Sequence, residues 1–182
     1  VASAQSVHRG TDSLTRIPAQ KPVFEVARTG VPPQIDGQVN DAEWAQARGV
    51  TEFWQRDPEE GQPATERTEA RILYDDNALY VAFICYDSEP DKISRRLSRR
   101  DRDVPSDKVS ILLDSYDDDR TAFQFIVNAA GVKIDLLMQD DGENSDLNWD
   151  GIWEARTALR PDGWSAEFRI PNNERSGCQG IR

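Results

Sequence analysis

The sequence predicts an all-β fold, an antiparallel β-sandwich carrying one short helix near residues 41–47. Three observations lead there. Short strand-like runs recur at even spacing, roughly seven to nine of them, separated by clusters of Asp, Asn, Gly and Pro. One run, Leu79 to Tyr86, is apolar almost throughout, so it needs cover on both faces and a central place in a sheet with a second layer above it. A helix-start signal stands out in one stretch, and no long repeat is visible.

Taken in order, residues 1–20 are polar, small and without period, and read as a flexible tail ahead of a domain spanning residues 21–171. "PVFEVARTG" alternates Val23, Glu25 and Ala27 against Phe24, Val26 and Arg28, a first strand closed by Thr29-Gly30. In "QIDGQVNDAEW", Asp36-Gly37 is a turn, Asn40 stands as a helix N-cap, and Glu43 can reach back to complete a variant capping box. The helix runs from Asp41 to Ala47, stops near Gly49, and presents Trp44 as a packing anchor.

"VTEFWQR" then carries Val50, Phe53 and Trp54 towards the loop "DPEEGQPAT". A meander follows: two runs joined by Asp75-Asp76-Asn77, and three more separated by Asp117-Asp118-Asp119 and by Ala129-Ala130-Gly131. The last hairpin is "IWEARTALR", the turn Pro161-Asp162-Gly163, then "WSAEFRIP". Residues 172–182 form a polar tail.

Composition narrows the function. The chain of 182 residues has a formal net charge of -11, which argues against nucleic acid or an anionic membrane as partner, since both need neutralising Lys and Arg. The basic exception, "ISRRLSRRDRD", reads as a solvated, internally paired face or a guard on a strand edge. Cys85 lies in a strand run and Cys178 in the polar tail, which implies neither a disulfide framework nor a zinc site. The single histidine, His8, sits in the tail, which removes most His-based catalysis, and Met138 with His8 is poor material for haem. Ala2-Ser3-Ala4 has the small-x-small form of an export cleavage site, and no apolar run is long enough to span a bilayer as a helix.

Four stretches together carry more than a fold class: "QIDGQVNDAEW", "ILYDDNALYVAFICYDSEP", "SDKVSILLDSYDDDRTAFQFIVNAAGVKID" and "WDGIWEARTALRPDGWSAEFRIP". In this order they resemble the family 9 carbohydrate-binding module-like domain, in the version found N-terminal to a predicted outer-membrane β-barrel in exported bacterial proteins. The resemblance implies a jelly-roll sandwich, an extracytoplasmic place in the periplasm or at the cell surface, structural calcium, and non-catalytic saccharide recognition, often attached to glycoside hydrolases that break down polysaccharides. It differs in two places. The Arg-rich stretch stands where a clamp aromatic is expected, and the polar end after "EFRIP" replaces an apolar continuation, so the chain is expected to be truncated before a C-terminal barrel partner.

Sugar stacking needs an exposed rigid ring beside hydrogen-bonding side chains. Trp149 and Trp153 are four apart and share a face if their segment is a strand, with Asn148 and Asp150 beside them to bond hydroxyls. Trp54, ahead of a Pro/Gly loop, is the third candidate. The competing reading makes Trp153 core, Trp149 a loop plug and Trp54 structural as well, while Trp44 and Trp164 are assigned to packing. Asp140, Asp141, Glu143 and Asp146 could supply oxygen ligands to calcium, although the spacing is not that of an EF-hand and a solvated acidic loop is the better reading of the spacing alone. No acid pair is selected for glycoside hydrolysis. The expected function is therefore saccharide binding, with a docking domain at a β-barrel and a glycoside hydrolase fragment as alternatives.

Overall fold

Nine strands, joined by loops and short turns of 3-10 helix, build two sheets in the computed structural model, which describes residues 23–172 and, of Asp141, the backbone alone. The strands are β1 (Ala27–Arg28), β2 (Thr68–Tyr74), β3 (Ala78–Tyr86), β4 (Lys108–Leu113), β5 (Ala122–Asn128), β6 (Lys133–Gln139), β7 (Asn144–Asp146), β8 (Glu154–Arg160) and β9 (Gly163–Pro171). One sheet has the order β1-β2-β3-β9-β8 and the other β4-β5-β6-β7. All neighbours are antiparallel except β1 and β2.

The apolar run Leu79–Tyr86 lies inside β3, at the centre of its sheet between β2 and β9. Its alternate residues serve two cores. Val81 and Phe83 join Ala166, Phe168 and Ile170 of β9 on the inner face, against Phe123, Phe125 and Val127 of β5 from the other sheet. Edge-to-face contact of Phe83 with Phe168, at 5.9 Å between centroids, ties β3 to its sheet neighbour β9. Each such ring contributes about 2–3 kcal/mol by leaving water. Tyr80 and Ala82 point the other way and pack with Leu73 under Trp44.

Trp44 sits on a 3-10 turn, Ala42–Gln46, and is buried as the sequence implies. The expected capping box does not form. Asp41, not Asn40, precedes the turn and no side chain caps it. Asp41 instead accepts the Gln34 N–H at 2.7 Å, while the Asn40 N–H donates to the Gln38 carbonyl. A stretch this short is held by the indole it plants in the sheet rather than by caps, which is why 3-10 geometry suffices.

The first strand is also shorter than its alternation implies. Ala27 and Arg28 alone pair with β2, and Val23 is 91% exposed, because an alternating pattern holds a strand only where a partner edge is within reach. Asn172, assigned to the tail by sequence, donates its N–H to the Asn77 carbonyl at 2.8 Å. The tail reading of residues 1–20, Ala2-Ser3-Ala4, His8 and Cys178 lie outside the described residues. Among those residues, no helix is long and apolar enough to cross a membrane.

Candidate functional site

Two half-open tryptophans survive folding, Trp54 and Trp149, and different devices position them. Val50 exchanges both backbone hydrogen bonds with Ala70 of β2, which pins the following segment beside the sheet edge. Phe53 turns into the core, so alternation leaves Trp54 facing outward. The loop after it folds back: Trp54 bridges Pro63, the Ala64 N–H donates to the Phe53 carbonyl at 3.0 Å, and the Gln55 side chain donates to the Pro63 carbonyl at 2.9 Å. A cavity of about 510 Å³ results, lined by Trp54, Pro63, Thr51, Glu52, Thr65 and Arg67 among others. Arg67 is pre-set for use, its guanidinium lying 4.6 Å over the Tyr86 ring while one nitrogen donates to Glu69 at 3.2 Å.

Trp149 is held by packing. Its ring lies 4.8 Å from Phe123 and 5.7 Å, edge-on, from Phe125. It also folds over Gly151, where a Cβ would come within 2.7 Å of the indole. Gly151 is clasped in turn by a polar pair. Its N–H donates to Asp135 Oδ2 at 2.6 Å, its carbonyl accepts from Arg100 at 3.1 Å, and Arg100 donates to Asp135 Oδ1 at 2.8 Å. Asp135 is 0% exposed, so Arg100 is the charge that makes its burial tolerable.

The remaining expected residues fall in different places. Trp153 is 3% exposed, stacked on Phe168 at 5.7 Å and edge-on to Phe125 at 5.3 Å, and it offers no open face to a ligand. Residues 147–153 are not a strand, so Trp149 and Trp153 do not form the expected slot; they meet through Phe125 instead. Lys133 lies 4.6 Å over the Trp153 ring and donates to its carbonyl at 2.7 Å; burial, then the Arg100 charge, lower its pKa. Asn148 turns its amide to Asp146 at 2.9 Å, and Asp150 pairs with Arg100.

Of the four acids expected to hold calcium, the three with described side chains turn to different neighbours or to solvent. Asp140 accepts from Arg120 at 3.1 Å and Asn144 at 2.9 Å, Asp146 faces Asn148, and Glu143 is exposed. Among the described residues no three His, Cys, Asp or Glu side chains form a group that could hold a metal ion.

Two features escaped the sequence reading. The Arg-rich stretch was expected to be paired or to guard an edge, and it does lie along β6: the Asp101 N–H donates to the Lys133 carbonyl at 3.1 Å, and the Asp135 N–H donates to the Asp101 carboxylate at 3.3 Å. That Arg100 in particular clasps the Trp149 loop had one available signal, the acid Asp135 inside the apolar run "KIDLLM". The lining of the Trp54 cavity by Pro63 and Arg67 had none, because nothing local tells the loop to fold back.

A family model described as carbohydrate family 9 binding domain-like matches residues 35–177. The chain belongs to this family. Among solved structures, this family 9 domain is similar to a carbohydrate binding module family 9 from Caldicellulosiruptor kristjanssonii in complex with cellotriose, with 24% identity and a TM-score of 0.58; the match covers 80% of this chain and 66% of that one, a little under two-thirds of its length. The same module in complex with glucose matches with 24% identity, a TM-score of 0.58, and coverage of 83% and 69%. A protein from Bacteroides uniformis matches with 12% identity, a TM-score of 0.63, and coverage of 85% and 75%. At these identities the likeness is one of fold. No curated protein matches the chain.

Proposed function

We propose that this family 9 domain is a non-catalytic saccharide-recognition module whose sugar lies in the Trp54 cavity. The observation that carries the reading is the cavity itself. A half-open indole and a proline ring supply apolar faces for sugar C–H groups, and Thr51, Glu52, Thr65 and Arg67 supply both donors and acceptors for hydroxyls. Its volume of about 510 Å³ falls in the range of small-molecule sites. The complexes of the Caldicellulosiruptor module with cellotriose and glucose support a saccharide as the ligand class.

The same reading places the module outside the cytoplasm, as an accessory of an exported protein acting on polysaccharides or preceding an outer-membrane β-barrel. Ala2-Ser3-Ala4 and the family resemblance support it.

The test is tryptophan fluorescence during titration with glucose, cellotriose and a wider panel of sugars, on the wild type, Trp54→Ala and Trp149→Ala. A saturable change lost in Trp54→Ala and kept in Trp149→Ala is the expected result. Loss in Trp149→Ala alone moves the site to the Phe123–Phe125 end of the sandwich. A flat response across the panel from folded protein overturns saccharide recognition in favour of a docking domain.

A further inference from the structure

The outer face of the five-stranded sheet bears a second cavity, at the opposite end of β2 from the first. Arg67 lines the Trp54 cavity and Asp75 lines this one, eight residues along an extended chain and so about 26 Å apart. The volume is about 390 Å³. Pro32 and Pro33 form one wall, Asn77 closes the hairpin end, and Tyr80, Glu154 and Arg169 provide the polar lining.

The polar groups form a row. The Tyr80 hydroxyl donates to Asp75 at 3.0 Å, and Arg169, its cross-strand partner on β9, reaches Glu154 across the β8–β9 pair at 3.5 Å. A guanidinium has five N–H donors in a planar fork. One is engaged by Glu154, and Arg169 is the one cation among the described residues that line the cavity. Glu154 is more than half exposed and gripped only at that long distance, so its lone pairs are open as well. A half-exposed ion pair of this geometry contributes little to stability. A donor fork beside an open acceptor, against two proline rings, fits two adjacent hydroxyls on a ring with a C–H face.

We propose that this groove is a second saccharide subsite that takes a vicinal diol, with Arg169 donating to the two oxygens, Glu154 accepting a hydroxyl proton, and Pro32–Pro33 meeting the C–H face. This rests on the saccharide reading above and extends it, because two sites at opposite ends of β2 let a long chain be held at both, raising affinity for a polymer over that for a short sugar.

The experiment is proton–nitrogen NMR with cellotriose as probe, following the Trp54 indole N–H for the first site and the Asn77 side-chain amide for the second, in the wild type, Trp54→Ala, Arg169→Gln and Glu154→Gln. The expected result is a saturable Asn77 shift that persists in Trp54→Ala and weakens about tenfold in Arg169→Gln, the loss of a charge-assisted donor pair. Glu154→Gln repeats the loss in a residue far from the core. Movement of the Trp54 indole with a still Asn77 amide overturns the second subsite and leaves the first intact. Stillness of both probes overturns both.

Discussion

The indole N–H of Trp44 donates to Oε1 of Glu167 at 2.8 Å, across 123 residues of chain, and Oε2 of the same carboxylate accepts the backbone N–H groups of Gly37 at 2.7 Å and Asp36 at 3.0 Å. Glu167 is fully buried on β9, and three N–H dipoles hold it. One buried carboxylate thus fastens both the turn and the indole of the loop that closes the outer face, and the Ser165 hydroxyl adds a bond to the Gly37 carbonyl at 2.6 Å.

Trp44→Phe keeps most of the packing and removes one donor from a buried charge, which costs about 1.5–3 kcal/mol. Urea denaturation measures it. A change below about 0.5 kcal/mol means that the hydrogen bond carries no weight.

Stability also depends on pH through two carboxyls of opposite sign. Burial pushes Glu167 above the usual carboxylate range, and the N–H donors only partly oppose it. Its ionisation therefore weakens the fold: the gain from protonation is complete below the unfolded pKa, near ~4.3, and is lost as pH rises through the folded value. Asp75 is the reverse. Burial pulls it up, but the N–H groups of Asn77 and Ala78 and the Tyr80 hydroxyl outweigh that and leave it below its ordinary value. Its stabilisation holds above the unfolded pKa, near ~3.9, and is lost as pH falls through the folded one. Urea midpoints across the acid range should show the wild type gaining on Glu167→Gln as pH falls and losing its advantage over Asp75→Asn. Parallel profiles for all three proteins refute both assignments.

Arg100→Ala strips the buried Asp135 carboxylate of its cation. Because the Arg100 side chain is 39% exposed and water can enter behind it, the cost is about 2–3 kcal/mol rather than the full penalty of an orphaned charge. Freed from the clasp on Gly151, the Trp149 loop should loosen and its fluorescence move to the red. Adding Asp135→Asn should recover part of the loss; a strictly additive double variant shows that the two residues are not coupled.

Burial pushes the Cys85 thiol up to about 12, so at mildly alkaline pH it holds almost no thiolate. Native protein treated with a thiol reagent and mapped by mass spectrometry should be unlabelled at Cys85, with labelling only after denaturation. Rapid native labelling contradicts the packing around β3.

Gly163 opens β9 at φ 143°, and a Cβ there would lie 2.0 Å from the Cys85 carbonyl oxygen. Gly163→Ala must displace the β3–β9 pairing and should cost about 3 kcal/mol or more. Gly30 is the control, since a Cβ there meets nothing within 4 Å. Gly30→Ala should stay within about 0.5 kcal/mol. Equal effects at the two positions, read from thermal unfolding, exclude the steric account.

The two-layered β architecture, the central place of Leu79–Tyr86, the hairpin turns and the anchoring role of Trp44 were all legible in the sequence. Each rests on a local pattern: an apolar run, an Asp/Asn turn, or an indole beside a turn with no other partner in reach. Where the pattern needed a distant partner it overreached, as in the first strand beyond Ala27–Arg28 and the capping box at Asn40. Which tryptophan keeps an open face was decided by the tertiary structure alone. Trp153 is closed off by Phe168 of β9 and Phe125 of β5, Trp54 is left open by a loop folding back to Pro63, and Trp149 is set by Arg100 and Asp135, 35 residues apart. Periodicity states which face of an element leaves water, but long-range packing chooses what covers it, and a binding surface consists of what that packing leaves uncovered.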